Sequence, residues 1–187
     1  MNNELVFIRH AKTKIDKEIS ISEWDLTEDG YEHAGQIKNI PEFQDVDILI
    51  SSTEKKSFLT IKPLVDKLEK EIIQIKELGE VVRGDGETLS SEEYDEMKSK
   101  LFSNLYFSAD GWESANSALE RYGKAVEEID NKYEDKKILL CTHGTVMTLY
   151  FAKLQNQMGD LMNRRKNMGE KGRGIVKDNK VVKDILK

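Results

Sequence analysis

Arg9 and His10 stand side by side where a short apolar run, Leu5-Val6-Phe7-Ile8, stops. A guanidinium can fork onto an anion, and an imidazole beside it can attack or carry a proton. The chain has three histidines, and a second, His143, follows another apolar run, Ile138 to Cys141, in the same way. Ligands of open α/β sheets bind off the carboxyl ends of the strands. Parallel strands would therefore turn Arg9, His10, Ser51, Ser52, Glu80, Thr142 and His143 toward one crevice. Two imidazoles, a guanidinium and a carboxylate suit phosphoryl transfer. Positive donors surround the equatorial oxygens, a histidine serves as nucleophile, and a carboxylic acid protonates the leaving oxygen.

The elements that must position these residues alternate along the chain. Leu5–Ile8 reads as the first strand, and a polar loop leads to Leu26. Thr27 is an N-cap for a helix to about Asn39, with Glu28 and Asp29 in its first turn. Ile48–Ile50 is a second strand. The helix after it is interrupted at Pro63, which should kink it or start a new turn. Ile72, Ile73 and Ile75 mark a third strand. Leu78 to Leu89, with Gly79, Gly84 and Gly86, is a loop. Ser90-Ser91-Glu92-Glu93 reads as a capping box opening a helix to about Phe107. After a break at Asp110-Gly111, a helix runs from Ser114 to about Tyr133. Ile138–Cys141 is the fourth strand, and a helix through Phe151 follows His143-Gly144. Residues 155–174 read as irregular or as a mobile flap. Asp178-Asn179 joins Gly174–Lys177 to Lys180–Ile185 as a hairpin turn. The pattern predicts an α/β three-layer sandwich with a mostly parallel central sheet, helices on both faces and a C-terminal β-hairpin.

At 187 residues, the chain is expected to form a single domain over 1–187. A net charge of −6 argues against a general nucleic-acid binder. The charge is unevenly spread: Gly84 to Glu96, including Asp85 and Glu87, is acidic with no base, and Arg164 to Lys187 is predominantly basic. These segments read first as solvated faces, with a basic tail beside an anionic substrate as the alternative. Cys141 is the only cysteine, which fits a reducing compartment. The short apolar run after Met1-Asn2-Asn3-Glu4 reads as too short for a signal peptide, and no stretch approaches transmembrane length. The expectation is a soluble cytoplasmic protein.

Six ordered blocks between Val6 and about Leu149 resemble the histidine phosphatase superfamily, in its phosphoglycerate-mutase-like branch. Phe7-Ile8-Arg9-His10-Ala11-Lys12-Thr13 is similar to the family's Arg-His-Gly/Ala signature. Leu26-Thr27-Glu28-Asp29-Gly30, Asp47 to Ser52, and Leu78-Gly79-Glu80 with Gly84 follow. Gly111-Trp112-Glu113-Ser114 with Arg121, and Thr142-His143-Gly144, complete the set. The resemblance implies a nucleophile at His10, phosphate binding by Arg9 and His143, and an acid/base at Glu80. It implies no metal and no cofactor. The function implied is a metal-independent phosphomonoester hydrolase working through phosphohistidine on a small phosphorylated molecule, with no nucleic-acid or membrane partner and no specified oligomeric state. The alternatives are a phosphoglycerate or phosphosugar mutase, and a weakly active or non-catalytic phospholigand binder.

Three positions depart from the family pattern. By spacing from Ser51-Ser52, the second arginine falls on Lys56, with Lys55 as the less favoured register; lysine keeps the charge and loses the fork. Asp16 stands where an asparagine is common, and its carboxylate would repel phosphate unless it turns away or pairs with a base. Ala11 replaces the commoner glycine. Thr13, Asp16 and Gly144 complete the expected pocket, and segment 84–108 is expected to cap the crevice and set substrate choice. Other chemistries fit less well. A metal held by His10, His143 and Glu80 would be opposed by the fixed charge of Arg9. No Gly-x-Ser-x-Gly elbow or P-loop is present. His33 reads as structural or surface, and Cys141 as a buried small hydrophobe.

Overall fold

The structure, a computed structural model, describes residues 2–84, 89–108 and 111–186. Asp85, Gly86 and Glu87 of the capping segment and Asp110 of the break before Ser114 lie outside the described residues. One six-stranded sheet has the order β3-β2-β4-β1-β5-β6. Strands β1 (Glu4–Arg9), β2 (Ile48–Ser51), β3 (Ile72–Gln74) and β4 (Lys137–Thr142) run parallel. Strands β5 (Arg173–Lys177) and β6 (Lys180–Lys183) form an antiparallel hairpin on the β1 edge. Asp178 and Asn179 both take positive φ, 49° and 57°, as the two-residue turn predicted there requires.

Alternation along the strands builds two separate apolar layers. Val6, Ile8, Leu49, Leu139 and Cys141 face helices α1 (Glu28–Ile37) and α2 (Lys55–Leu68). Leu5, Phe7, Ile50, Ile138 and Leu140 face the other layer. That layer holds α3 (Ser91–Ser103), α4 (Ala115–Lys132), α5 (Gly144–Leu154) and α6 (Leu161–Met168). The three-layer sandwich expected from the sequence is the architecture found. Central β1 and β4 are buried on both faces, which is why they read as continuous apolar runs.

Three local expectations are corrected. Helix α2 runs through Pro63 without interruption. Buried Ile61, Leu64 and Val65 pin it to the sheet on both sides of the proline, and that packing holds the turn that lacks one N–H. Helix α3 stops at Ser103, short of Phe107, because Asn104 turns extended and its Oδ1 accepts from Tyr106 N at 3.1 Å. Residues 161–168, expected to be irregular or a mobile flap, form α6. Its buried face, Leu161, Arg164 and Met168, includes a charged residue, so the apolar pattern is thin. Arg164 is held there by the Asp184 carboxylate, at 2.8 and 3.0 Å.

The Leu26–Gly30 block serves the loop that follows β1. Thr27 Oγ1 caps α1 by accepting from Gly30 N at 3.0 Å, and Thr27 N donates to Lys12 O at 3.0 Å. A Cβ on Gly30 would collide with that same Lys12 carbonyl. Gly30→Ala is therefore expected to lower stability by about 1–3 kcal/mol, the usual cost of overpacking. Urea denaturation checks this, and an unchanged midpoint would show that the Lys12–Gly30 contact is not tight.

Candidate active site

The β1–β4 register pairs Ile8 with Cys141 and Arg9 with Thr142, and His10 N donates to Thr142 O at 2.9 Å. The two strand ends leave the sheet together. The imidazoles of His10 and His143 consequently lie with ring centroids 5.1 Å apart. Thr60 on α2 fixes the turn after His10: its Oγ1 accepts from Ala11 N at 2.9 Å and donates to Lys56 O at 2.6 Å.

His10 Nδ1 lies 2.8 Å from the Ala11 carbonyl. A carbonyl only accepts, so Nδ1 carries the proton and Nε2 keeps the lone pair. Thr13 Oγ1 stands 3.4 Å from the same Nδ1. Burial, then His143 and Arg9, holds the His10 pKa well below that of a free imidazole. Burial likewise takes His143 down to about 4, against the opposing pull of Glu54. Both rings are therefore neutral near neutral pH. His143 Nε2 sits 2.7 Å from Ser52 Oγ and 3.3 Å from Glu54 Oε1, and its Nδ1 has no hydrogen-bond partner among the described residues.

Glu80 is brought into the site by its neighbours. Thr142 Oγ1 donates to Leu78 O at 2.7 Å. Arg121 donates to the carbonyls of Glu77, Gly79 and Glu80 while pairing with Glu113, whose own backbone N–H bonds Val82 O at 2.8 Å. The Gly111–Ser114 block and Arg121 thus clamp the Glu80 backbone. The Glu80 carboxylate accepts from Thr145 N at 3.0 Å and Val146 N at 3.3 Å, at the positive end of α5. Burial raises its pKa, but His143, Arg83 and the backbone N–H groups of Thr145 and Val81 bring the net shift below the ordinary carboxylate value.

A cavity of about 470 Å³ opens over these groups. Of the residues singled out in the sequence, Arg9, His10, Thr13, Lys56 and Glu80 line it. His143 is fully buried and is not among the lining residues; its ring packs against that of His10. Gly144 does not; it lies buried at the start of α5. Asp16 is not among the lining residues either, and its carboxylate accepts from Glu18 N at 3.0 Å. Lys56, not Lys55, enters the cavity, since Lys55 pairs with Asp25 at 2.8 Å on the surface.

Three site residues were missed from sequence. Glu54 forms a buried ion pair with Lys56 and accepts from Glu80 N at 2.7 Å; although burial opposes it, His143 and Lys56 hold this carboxylate strongly acidic. Its signal was an acid two residues before the expected cation. Arg83 stacks on Tyr94 and Trp112, 4.3 and 5.5 Å from their ring centres, on the cavity wall. Arg165, on α6, also lines the cavity.

The family model for the histidine phosphatase superfamily (branch 1) matches residues 5–169, and the chain belongs to that superfamily. A relative from Arabidopsis thaliana, phosphoglycerate mutase-like protein 4, is 26% identical over 155 residues, covering 77% of this chain and 67% of its own length. Among solved structures, a mycobacterial glucosyl-3-phosphoglycerate phosphatase superposes with a TM-score of 0.78 at 16% identity, covering 98% of this chain and 99% of its own. A phosphoserine phosphatase mutant from Entamoeba histolytica, in complex with phosphoserine, gives 0.76 at 20% identity, covering 97% and 94%. Among the described residues no helix is long and apolar enough to cross a membrane.

The two neutral imidazoles, His143 buried and His10 half-buried at the cavity, generate a pH prediction. In the folded protein the ring resonances of His10 and His143 should show no titration near pH 6.5 and should move only at distinctly lower pH. The unfolded chain takes up these protons first, so stability should be complete above about pH 6.5 and fall as pH drops below it. An NMR titration that places the His10 inflection at or above 6.5 would contradict the burial argument.

Proposed function

We propose that this chain is a phosphatase that hydrolyses a phosphomonoester through a covalent phosphohistidine at His10. One observation carries the reading: the Nδ1–H of His10 is committed to the Ala11 carbonyl, so the Nε2 lone pair is available beside Arg9 and Glu80 in one cavity. In the first step His10 Nε2 bonds to phosphorus and the bond from phosphorus to the leaving oxygen breaks. Glu80 gives that oxygen its proton. In the second step the Glu80 carboxylate takes a proton from water, the oxygen of that water bonds to phosphorus, and the N–P bond breaks. Orthophosphate leaves, and His10 and Glu80 regain their starting protonation.

Glu80 begins from a depressed pKa, which suits the base of the second step. A phosphoryl dianion arriving beside it disfavours its charged form and raises that pKa toward what an acid needs. The same dianion favours protonation of His143, whose unpartnered Nδ1 can then donate to a phosphoryl oxygen. The relatives' printed names, a phosphoglycerate mutase-like protein and two phosphatases, agree with phosphoryl chemistry. The cavity is of small-molecule size. Its lining includes the aromatic side chains of Trp24, Tyr94 and Trp112. Leu89, Ser90, Tyr94 and Met97 bring segment 84–108 into that lining, which supports its role as a cap that selects the leaving group.

Purified protein should release orthophosphate from p-nitrophenyl phosphate in the presence of a chelator. His10→Ala should abolish release, and Glu80→Gln should lower turnover about 10²–10⁴-fold, the range for losing an acid/base. Undiminished activity of His10→Ala would sink the assignment.

A further inference from the structure

We infer that Arg165, from α6, supplies the second guanidinium of the phosphate clamp, the part that Lys56 cannot fill in this chain. The inference rests on the phosphatase reading of the cavity above.

Lys56 occupies the expected position, but its ammonium is engaged. It is paired with the Glu54 carboxylate and donates to Ile21 O at 2.9 Å. A cation neutralised by a buried carboxylate has little charge left for an arriving anion. Arg165 is in the opposite condition. It lines the same cavity as Arg9 and His10. It forms no hydrogen bond or ion pair among the described residues, and its Nε is buried without a partner. The guanidinium lies against the backbone of Gly144, with Nη2, Cζ and Nε 2.6–2.7 Å from where a Cβ would project. Glycine after His143 is therefore what lets this side chain settle against the start of α5.

Two guanidiniums line the cavity. Arg9 donates through Nη1 to Gly169 O at 2.7 Å, and its own Nε is buried and unpartnered. Burial, followed by the charge of Arg165, lowers the Arg9 pKa to about 10. Glu170 and Glu80 offset some of this repulsion, but neither pairs with either arginine. Holding two like charges close in a partly desolvated space is unfavourable until an anion lies between them. A phosphoryl group on His10 has the charge and the oxygen geometry to accept from both forks.

The test compares Arg165→Met, Arg165→Lys, Lys56→Met and His10→Ala with the unaltered protein. The readouts are p-nitrophenyl phosphate kinetics and the affinity for inorganic phosphate, read as thermal stabilisation. Arg165→Met should lower kcat/KM about 10²–10³-fold, as for one lost preorganised donor. It should also weaken phosphate binding at least about tenfold, the equivalent of one 1.4 kcal/mol step. Arg165→Lys should fall between, and Lys56→Met should cost less than Arg165→Met. Added guanidinium at millimolar concentration should partly restore Arg165→Met and leave His10→Ala inactive. If Arg165→Met keeps both kcat/KM and phosphate affinity while His10→Ala is dead, Arg165 is not in the clamp and the phosphatase reading stands. An active His10→Ala removes that reading instead. If Arg165→Met does not fold, phosphate affinity of Arg165→Lys equal to that of the unaltered protein overturns the inference.

Discussion

The parallel ladder between β1 and β4 is the constraint on which the rest depends. Its register sets Arg9 opposite Thr142, and so releases His10 and His143 from neighbouring strand ends at the same level. The register is enforced by burial on both faces, with Phe7, Ile138, Leu139 and Leu140 wholly inaccessible. A slip of one residue would exchange the two faces of β1 and send apolar side chains out of both layers. The placement of the two imidazoles and the packing of the core are therefore specified by the same hydrogen bonds. The elements around the ladder serve it in turn. Thr60 fixes the turn after His10, Gly30 makes room for the carbonyl of Lys12, and Arg121 ties the Glu80 segment to α4.

The site concentrates charge where the protein is poorly solvated. Burial disfavours charge on its imidazoles, while its carboxylates are held acidic against burial by specific partners: His143, Arg83 and backbone N–H groups for Glu80, and His143 and Lys56 for Glu54. Such groups cost stability unless each is paired. The costs fall unevenly here. Lys56 and Glu54 satisfy one another, whereas Arg9 and Arg165 retain unpartnered nitrogens. In the proposed mechanism that unsatisfied positive charge is what an incoming phosphoryl group relieves. It is also why the identity of the cation matters: a guanidinium can hold two oxygens at once, and an ammonium cannot.

Much of this was legible in the sequence, for physical reasons. β1 and β4 are central and doubly buried, so their apolar runs are unbroken. Thr27, Ser90 and Ser114 are caps whose hydroxyls accept from the backbone as their type predicts. Asp178-Asn179 tolerates the positive φ of a tight turn. Arg9, His10, Glu80 and Lys56 could be placed in one cavity because motif order follows strand order. The parts that stayed hidden depend on contacts between distant segments. Pro63 suggested a broken helix, and only packing on the sheet keeps α2 whole. α6 buries Arg164, so its periodicity is masked, and Arg165 was visible only as one base in a basic tail. Glu54 lay within the right block, but nothing local showed that its carboxylate turns inward toward Lys56 and His143.

The central claim is that a phosphoryl group passes through the neutral Nε2 of His10, and covalent trapping tests it most directly. Protein mixed rapidly with a phosphomonoester and quenched in alkali should carry one phosphate, stable to base and labile to acid. Peptide mass spectrometry should place it on His10, and the label should be absent from His10→Ala. Turnover with no base-stable label at any time, or a label on a serine or on His143, would contradict the account.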